Sequence, residues 1–258
     1  MPTLALDALQ INYALHGTGD GTPLLCLHGG GCDGGDYAPL AARLGQARRL
    51  ICPDLRGHGA SGSPEGPYDP GTLAEDVLAL ARHLGLGKVV LVGHSLGGAV
   101  TERLLAGGAL EVAAVVSLDA PTPLAAGMKQ GLGILRDAFK GPDPMATYRP
   151  FMAQVVGWAD DPATAKRKVD ALCAPPAHVL GPMLTAMADF DGGDTYGASR
   201  APLLHIDAQQ GVCDLARLAQ LRPDAWIGQV VGTGHYPHLE SPDQVAAMID
   251  HFLARHRL

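Results

Sequence analysis

"KVVLVGHSLGGAVTERLLAGG", residues 88–108, changes character within a few residues. Lys88 to Val92 is a short apolar run rich in valine, the composition of a strand buried on both faces. From Leu96 onward apolar residues follow a helical pattern, which ends at the glycine pair Gly107 and Gly108. At the junction stands Gly93-His94-Ser95-Leu96-Gly97, a G-x-S-x-G pattern in the strand-to-helix setting that gives it meaning. So sharp a turn admits only glycine on either side and holds the serine in a strained conformation with its hydroxyl exposed. The helix beginning there adds its positive end and a free N–H at Leu96. Ser95 is the candidate nucleophile, and Leu96 a candidate donor to a developing oxyanion.

The same alternation extends in both directions. Residues 23–29, 48–55 and 112–119 are apolar runs ending in Gly, His or Asp, and 11–17 has period-two character. Pro202, Leu203, Leu204 and Ile206 open another buried strand. Between them, 72–86 reads as a helix with a Thr72 cap and Glu75 three residues on. Residues 241–256 read as a final helix with Ser241 as cap and Pro242 at its first position. Strand and helix in series predict an α/β fold with a doubly wound, mostly parallel sheet. The rhythm breaks after Pro121, where Met-rich amphipathic stretches replace strands. Residues 1–120 and 201–258 are expected to form the core, and 121–200 a helical lid inserted after the sixth strand.

The 258 residues are 47% hydrophobic and 17% charged, with 34 Gly and 20 Pro, as expected of a globular chain with many turns. A net charge of −7 argues against a nucleic-acid partner. The densest basic cluster, Lys166, Arg167 and Lys168, reads as a solvated helix face. Five cysteines without CxxC spacing suit free thiols in a reducing cytoplasm. No signal peptide is expected from "MPTLALDALQINY", and no apolar run reaches the ~18 residues of a membrane span. His28, His58 and His83 lack metal-ligand spacing, and no glycine-rich phosphate loop carries its lysine. Neither metal nor cofactor is expected.

With these motifs the whole chain resembles the α/β-hydrolase superfamily. "LHGGG" (27–31) is similar to its oxyanion element, which implies the Gly30 N–H as the partner of Leu96. "DLRGHGASG" (54–62) resembles a mainly structural loop, so Arg56 and His58 are expected to be scaffold. "GTGHYPHLESPDQV" (232–245) resembles the element whose histidine is the general base, which implies His235. The chemistry agrees, because an unassisted serine cannot shed its proton at neutral pH and an imidazole can take it. His238, Glu240 and Pro242 read as loop and cap residues. His94 is expected to be turned away from the nucleophile, although its position, with Tyr236, Met152 and Trp158, also makes it a candidate for substrate contact.

A third group must orient that imidazole, usually a buried carboxylate. Laid on "PLLHIDAQQGVCD" (202–214), the superfamily pattern puts Gly211 where the acid belongs. Asp119, closing the strand before the lid, is the first candidate, since some haloalkane dehalogenases and cofactor-free dioxygenases carry their acid there. Asp214 is the alternative. Asp207 lies before the loop in a poor position, and a site without a carboxylate is the remaining option. The resemblance implies a serine hydrolase for a small or medium hydrophobic ester, thioester or lactone. Met145, Met152, Met183, Met187 and Trp158 are expected to supply an adaptable apolar pocket. Two rivals stand: a cofactor-independent dioxygenase of the quinolone type, and a ligand-sensing protein on the same fold.

Overall fold

The computed structural model describes residues 1–156, 162–190 and 192–258. Eight strands form one sheet: β1 (Thr3–Leu6), β2 (Leu9–His16), β3 (Gly21–Leu27), β4 (Arg48–Pro53), β5 (Lys88–His94), β6 (Glu111–Leu118), β7 (Leu203–Asp207) and β8 (Trp226–Gln229). Their order is β1-β2-β4-β3-β5-β6-β7-β8. β2 pairs antiparallel with β1 and β4, and every other neighbouring pair is parallel. The expected doubly wound sheet is present.

Alternation along β5 explains why helices cover both faces. Val89 and Leu91 join a core with Leu73, Val77 and Leu80 of α2 (Pro70–His83) and Val100 and Leu104 of α3 (Leu96–Gly107). Val90 and Val92 point the other way, toward Leu40 and Leu44 of α1 (Ala38–Leu44) and toward the C-terminal helix. Val89 through Val92 are fully buried, each contributing about 1.5–3 kcal/mol of apolar burial. A strand so placed cannot alternate polar and apolar residues, which is why it reads as a continuous apolar run.

Two edge strands were not located from the sequence. β1 has every residue exposed or half-exposed, and β8 is equally open, so neither carries a buried-strand signature. One cap is also corrected. α2 begins two residues before Thr72, at Pro70, and is capped by Asp69, whose Oδ1 accepts from the N–H groups of Gly71 and Thr72. Asp69 outcompetes Thr72 because proline at the first helical position sets the backbone for a cap just ahead of it.

Between β6 and β7 lie α4 (Ala126–Ala138), α5 (Met145–Val155), α6 (Pro162–Leu172), α7 (Ala177–Asp189) and α8 (Asp194–Ala198). α4 packs on α5 and α7, and α5 on α6, whereas α8 returns to the sheet side against α3 and α9 (Leu215–Leu221). Glu102 of α3 fixes that return, accepting from the N–H groups of Gly193 and Thr195. The chain closes with α10 (Pro237–Glu240) and α11 (Pro242–Arg255). Ser241 stands at the cap position of α11, but its hydroxyl accepts from the Gln244 side chain instead of a backbone N–H. Among the described residues no single helix is long and apolar enough to cross a membrane.

Candidate active site

Ser95 sits at the end of β5 with φ 49° and ψ −118°, a backbone conformation that L-residues rarely adopt. The turn is as tight as the motif implies. A Cβ at Gly97 would stand 2.0 Å from the Leu27 carbonyl oxygen, and one at Gly93 2.6 Å from that of Gly97. Leu96 is the first residue of α3, so its N–H has no carbonyl a turn back to bond. Gly30 lies beside it, its α-carbon facing the Met183 thioether and the Leu96 side chain. The loop carrying Gly30 is pinned by His28, whose Nδ1 donates to the Gly29 carbonyl at 2.8 Å and whose Nε2 accepts from the Leu55 N–H at 2.9 Å. Burial keeps that ring neutral by pulling its pKa down.

The loop 54–62 serves as support, in line with its reading as scaffold. Asp54 accepts from Asn12 Nδ2 and from the N–H groups of Gly34 and Ala60, while Arg56 forms a two-pronged pair with Asp76 at 2.5 and 2.6 Å. His58 is buried and donates through Nδ1 to the Arg56 carbonyl.

His235 reaches the same cavity from the far end of the sheet. Glu240 braces its loop on both sides, accepting from the Gly234 N–H at 2.8 Å and the Tyr236 N–H at 3.3 Å. His94 braces it from below: its Nε2 donates to the His235 carbonyl at 2.7 Å. The expectation that His94 turns from the nucleophile holds for that nitrogen, while the ring edges the cavity. Burial pushes His94 well below the ordinary imidazole range, which keeps it neutral.

The acid beside His235 is Asp119. Its Oδ2 lies 2.7 Å from His235 Nδ1, and its Oδ1 accepts from the Val212 N–H at 3.1 Å. Asp119 is fully buried and itself held at φ 38°. Asp214 is elsewhere occupied, capping α9 by accepting from the Arg217 N–H at 3.0 Å. The loop after β7 reaches Asp119 because it is zipped to the loop after β6. The Ala125 N–H donates to Val212 and the Asp214 N–H to Pro123, both at 2.9 Å. Gly211 has no room for a side chain, since a Cβ there would meet Asp207 Oδ1 at 1.9 Å. The position at which the resemblance placed an acid thus carries no side chain and lies against another residue's carboxyl group.

The cavity is walled by Gly29, Gly30, His94, Ser95, Leu96, His235 and Tyr236 below and by side chains of α4, α5 and α7 above. Met128, Met152, Met183 and Met187 are among the latter, whereas Met145 packs outside the wall. Trp158 lies outside the described residues. Tyr236 is buried, with Lys168 Nζ 4.7 Å from its ring centre. That lysine overturns one expectation. Lys166 is solvated, but Lys168 turns inward to pair with Asp36 at 2.5 Å and is only 16% exposed. Two residues on, a helix has turned about 200°, so Lys166 and Lys168 lie on opposite faces of α6 and share no environment. Among the described residues no three His, Cys, Asp or Glu side chains gather as a metal ion requires.

Residues 24–248 match the model of the Alpha/beta hydrolase family. A 2-(acetamidomethylene)succinate hydrolase of Mesorhizobium japonicum is 28% identical, over 96% of this chain and 94% of its own. In fold, the chain is similar to a thermophilic esterase from Thermogutta terrifontis, with a TM-score of 0.84 at 22% identity, covering 99% and 97% of the two chains. An enol-lactonase from Burkholderia xenovorans superposes with a TM-score of 0.85 at 21% identity, covering 98% and 100%.

Proposed function

The chain belongs to the alpha/beta hydrolase family, and from that membership we propose that it is a serine hydrolase cleaving an uncharged, hydrophobic carboxylic ester, thioester or lactone. One observation carries the reading: Asp119 bonds His235 at 2.7 Å in the cavity that Ser95 lines from a strained turn. Ser95 Oγ attacks the carbonyl carbon as His235 Nε2 takes its proton. The N–H groups of Gly30 and Leu96 hold the oxygen as it becomes negative. His235 returns the proton to the leaving alcohol or thiol, and the acyl group stays on Ser95. Water, deprotonated by the same imidazole, then releases the carboxylic acid. Asp119 keeps the proton of His235 on Nδ1 and balances the imidazolium as it forms.

None of the described residues lining the cavity carries a carboxylate, ammonium or guanidinium group, which favours an uncharged acyl chain. A free volume of about 90 Å³ beneath α4, α5 and α7 favours one of small or medium size. We assign those helices the role of the lid, with Met152 and Tyr236 in contact with substrate. No cofactor enters this reaction, and the partner is a small molecule. The relatives named as hydrolase, esterase and enol-lactonase support this class of chemistry.

The acid after β6 also favours a second reading, a cofactor-independent dioxygenase resembling the quinolone type. The test is p-nitrophenol release from short-chain p-nitrophenyl esters by wild type and Ser95→Ala. Turnover abolished in Ser95→Ala is the expected result. An inert wild type, with oxygen uptake on hydroxyquinolones, would favour the dioxygenase.

A further inference from the structure

The ends of β6 and β7 carry four polar side chains at a spacing of two: Ser117 and Asp119, His205 and Asp207. Period two puts His205 and Asp207 on one face of β7, and Ser117 stands opposite His205 in the register. All four are buried. Ser117 Oγ lies 3.0 Å from His205 Nδ1, and His205 Nε2 lies 3.3 Å from Asp207 Oδ1. Leu118 pairs with Ile206, and the Asp119 N–H donates to the Ile206 carbonyl at 2.8 Å, so Asp119 and Asp207 stand side by side at adjoining strand ends. A polar chain from Ser117 through His205 to Asp207 thus ends beside the Asp119–His235 pair.

Two carboxyl groups in such contact, out of water, cannot both be ionised. Asp119 accepts two hydrogen bonds, from His235 Nδ1 and the Val212 N–H. Asp207 has a single, longer contact to His205. We propose that Asp207 is held as the neutral carboxylic acid and donates its O–H to Asp119, as a positioning residue for the Asp119–His235 pair. Its remaining oxygen accepts from His205 Nε2–H, and His205 Nδ1 accepts from the Ser117 hydroxyl, so every contact in the chain joins a donor to an acceptor. One negative charge resides on Asp119. Burial raises the Asp207 carboxyl above the ordinary range; His205 pulls it back and Asp119 pushes it further up. The nearby Cys213 is raised by its own burial and remains a thiol. Asp207 is only 4% exposed.

The catalytic meaning of Asp207 rests on the serine-hydrolase reading; its protonation does not. The infrared carbonyl stretch of a neutral carboxylic acid, recorded on wild type and Asp207→Asn at pH 7, reads the proton without turnover. A band present in wild type and lost in Asp207→Asn is the expected result, and no difference between the two overturns the proposal. In ester turnover, Asp207→Leu loses about 10- to 100-fold in kcat at little changed KM, the effect of losing one donor to a charged group. Asp207→Asn keeps an N–H toward Asp119 and an oxygen toward His205, and recovers at least tenfold of that loss. An Asn variant as impaired as Leu overturns the positioning role. A wild type inert toward esters overturns the hydrolase reading and leaves the infrared result standing.

Discussion

The Val212 N–H donates to Asp119 Oδ1 at 3.1 Å, so the loop after β7, whose own Asp214 is turned to capping α9, holds the carboxylate that stands beside His235. The contact depends on the bridge between Leu124 and Cys213, which lays the two loops side by side. The carboxylate beside His235 thus comes from the end of β6, and the loop after β7 supplies it with a backbone donor.

The two candidate acids separate by substitution. Asp119→Asn is expected to lower kcat about 10³- to 10⁴-fold, because the amide favours the wrong imidazole tautomer. Asp214→Ala is expected to keep ester turnover while losing about 0.5–2 kcal/mol of stability, the cost of a helix cap. Turnover assays and urea titrations of both variants check the pair; loss of turnover in Asp214→Ala contradicts it.

Gly211 should not accept an acid. A Cβ there overlaps Asp207 Oδ1, so Gly211→Ala is expected to cost about 1–3 kcal/mol through overpacking. In the Asp119→Asn background, Gly211→Asp is expected to restore no turnover. Regained activity in that double variant would show that the loop can open to make room.

Acid should unfold the protein through its buried histidines. Burial holds His58 and His238 down to about 3, whereas in the unfolded chain they titrate near 6.5. Between those values the unfolded state binds protons that the folded state does not, so stability falls as pH falls. Each site contributes about 1.4 kcal/mol per pH unit across that window. His238→Phe is expected to flatten the measured slope between pH 6 and 4 by about that amount, and an unchanged slope would rule the site out.

Lys168 ties α6 to the base of the site. Although burial opposes it, Lys168 holds the Asp36 carboxyl below its ordinary range. Removing one partner of so enclosed a pair strands the other charge. Lys168→Met is expected to cost about 2–4 kcal/mol, and Lys166→Met less than about 0.5 kcal/mol. Chemical denaturation of the two variants tests the contrast.

The central strands were legible because burial on both faces leaves them uniformly apolar, and Ser95 and His235 because each stands in a loop whose glycines admit few alternatives. β1 and β8 were not, since strands open to solvent carry no such run. Asp119 could be singled out only by noticing what Gly211 lacks. The contact of Ser117 with His205 could be read only with the pairing of β6 and β7 in hand: both residues are plain in the sequence, but nothing local says that they face each other. Lys168 was misread because the character of a helix residue depends on its angle about the axis more than on its immediate neighbours.

The contact between Gly211 and Asp207 also ties the two positions together. With the Asp207 carboxyl lying where a side chain at 211 would begin, the two groups compete for one place. A larger residue at 211 is therefore expected to be tolerated better once residue 207 is smaller, so the pair forms a single unit of substitution and not two independent sites.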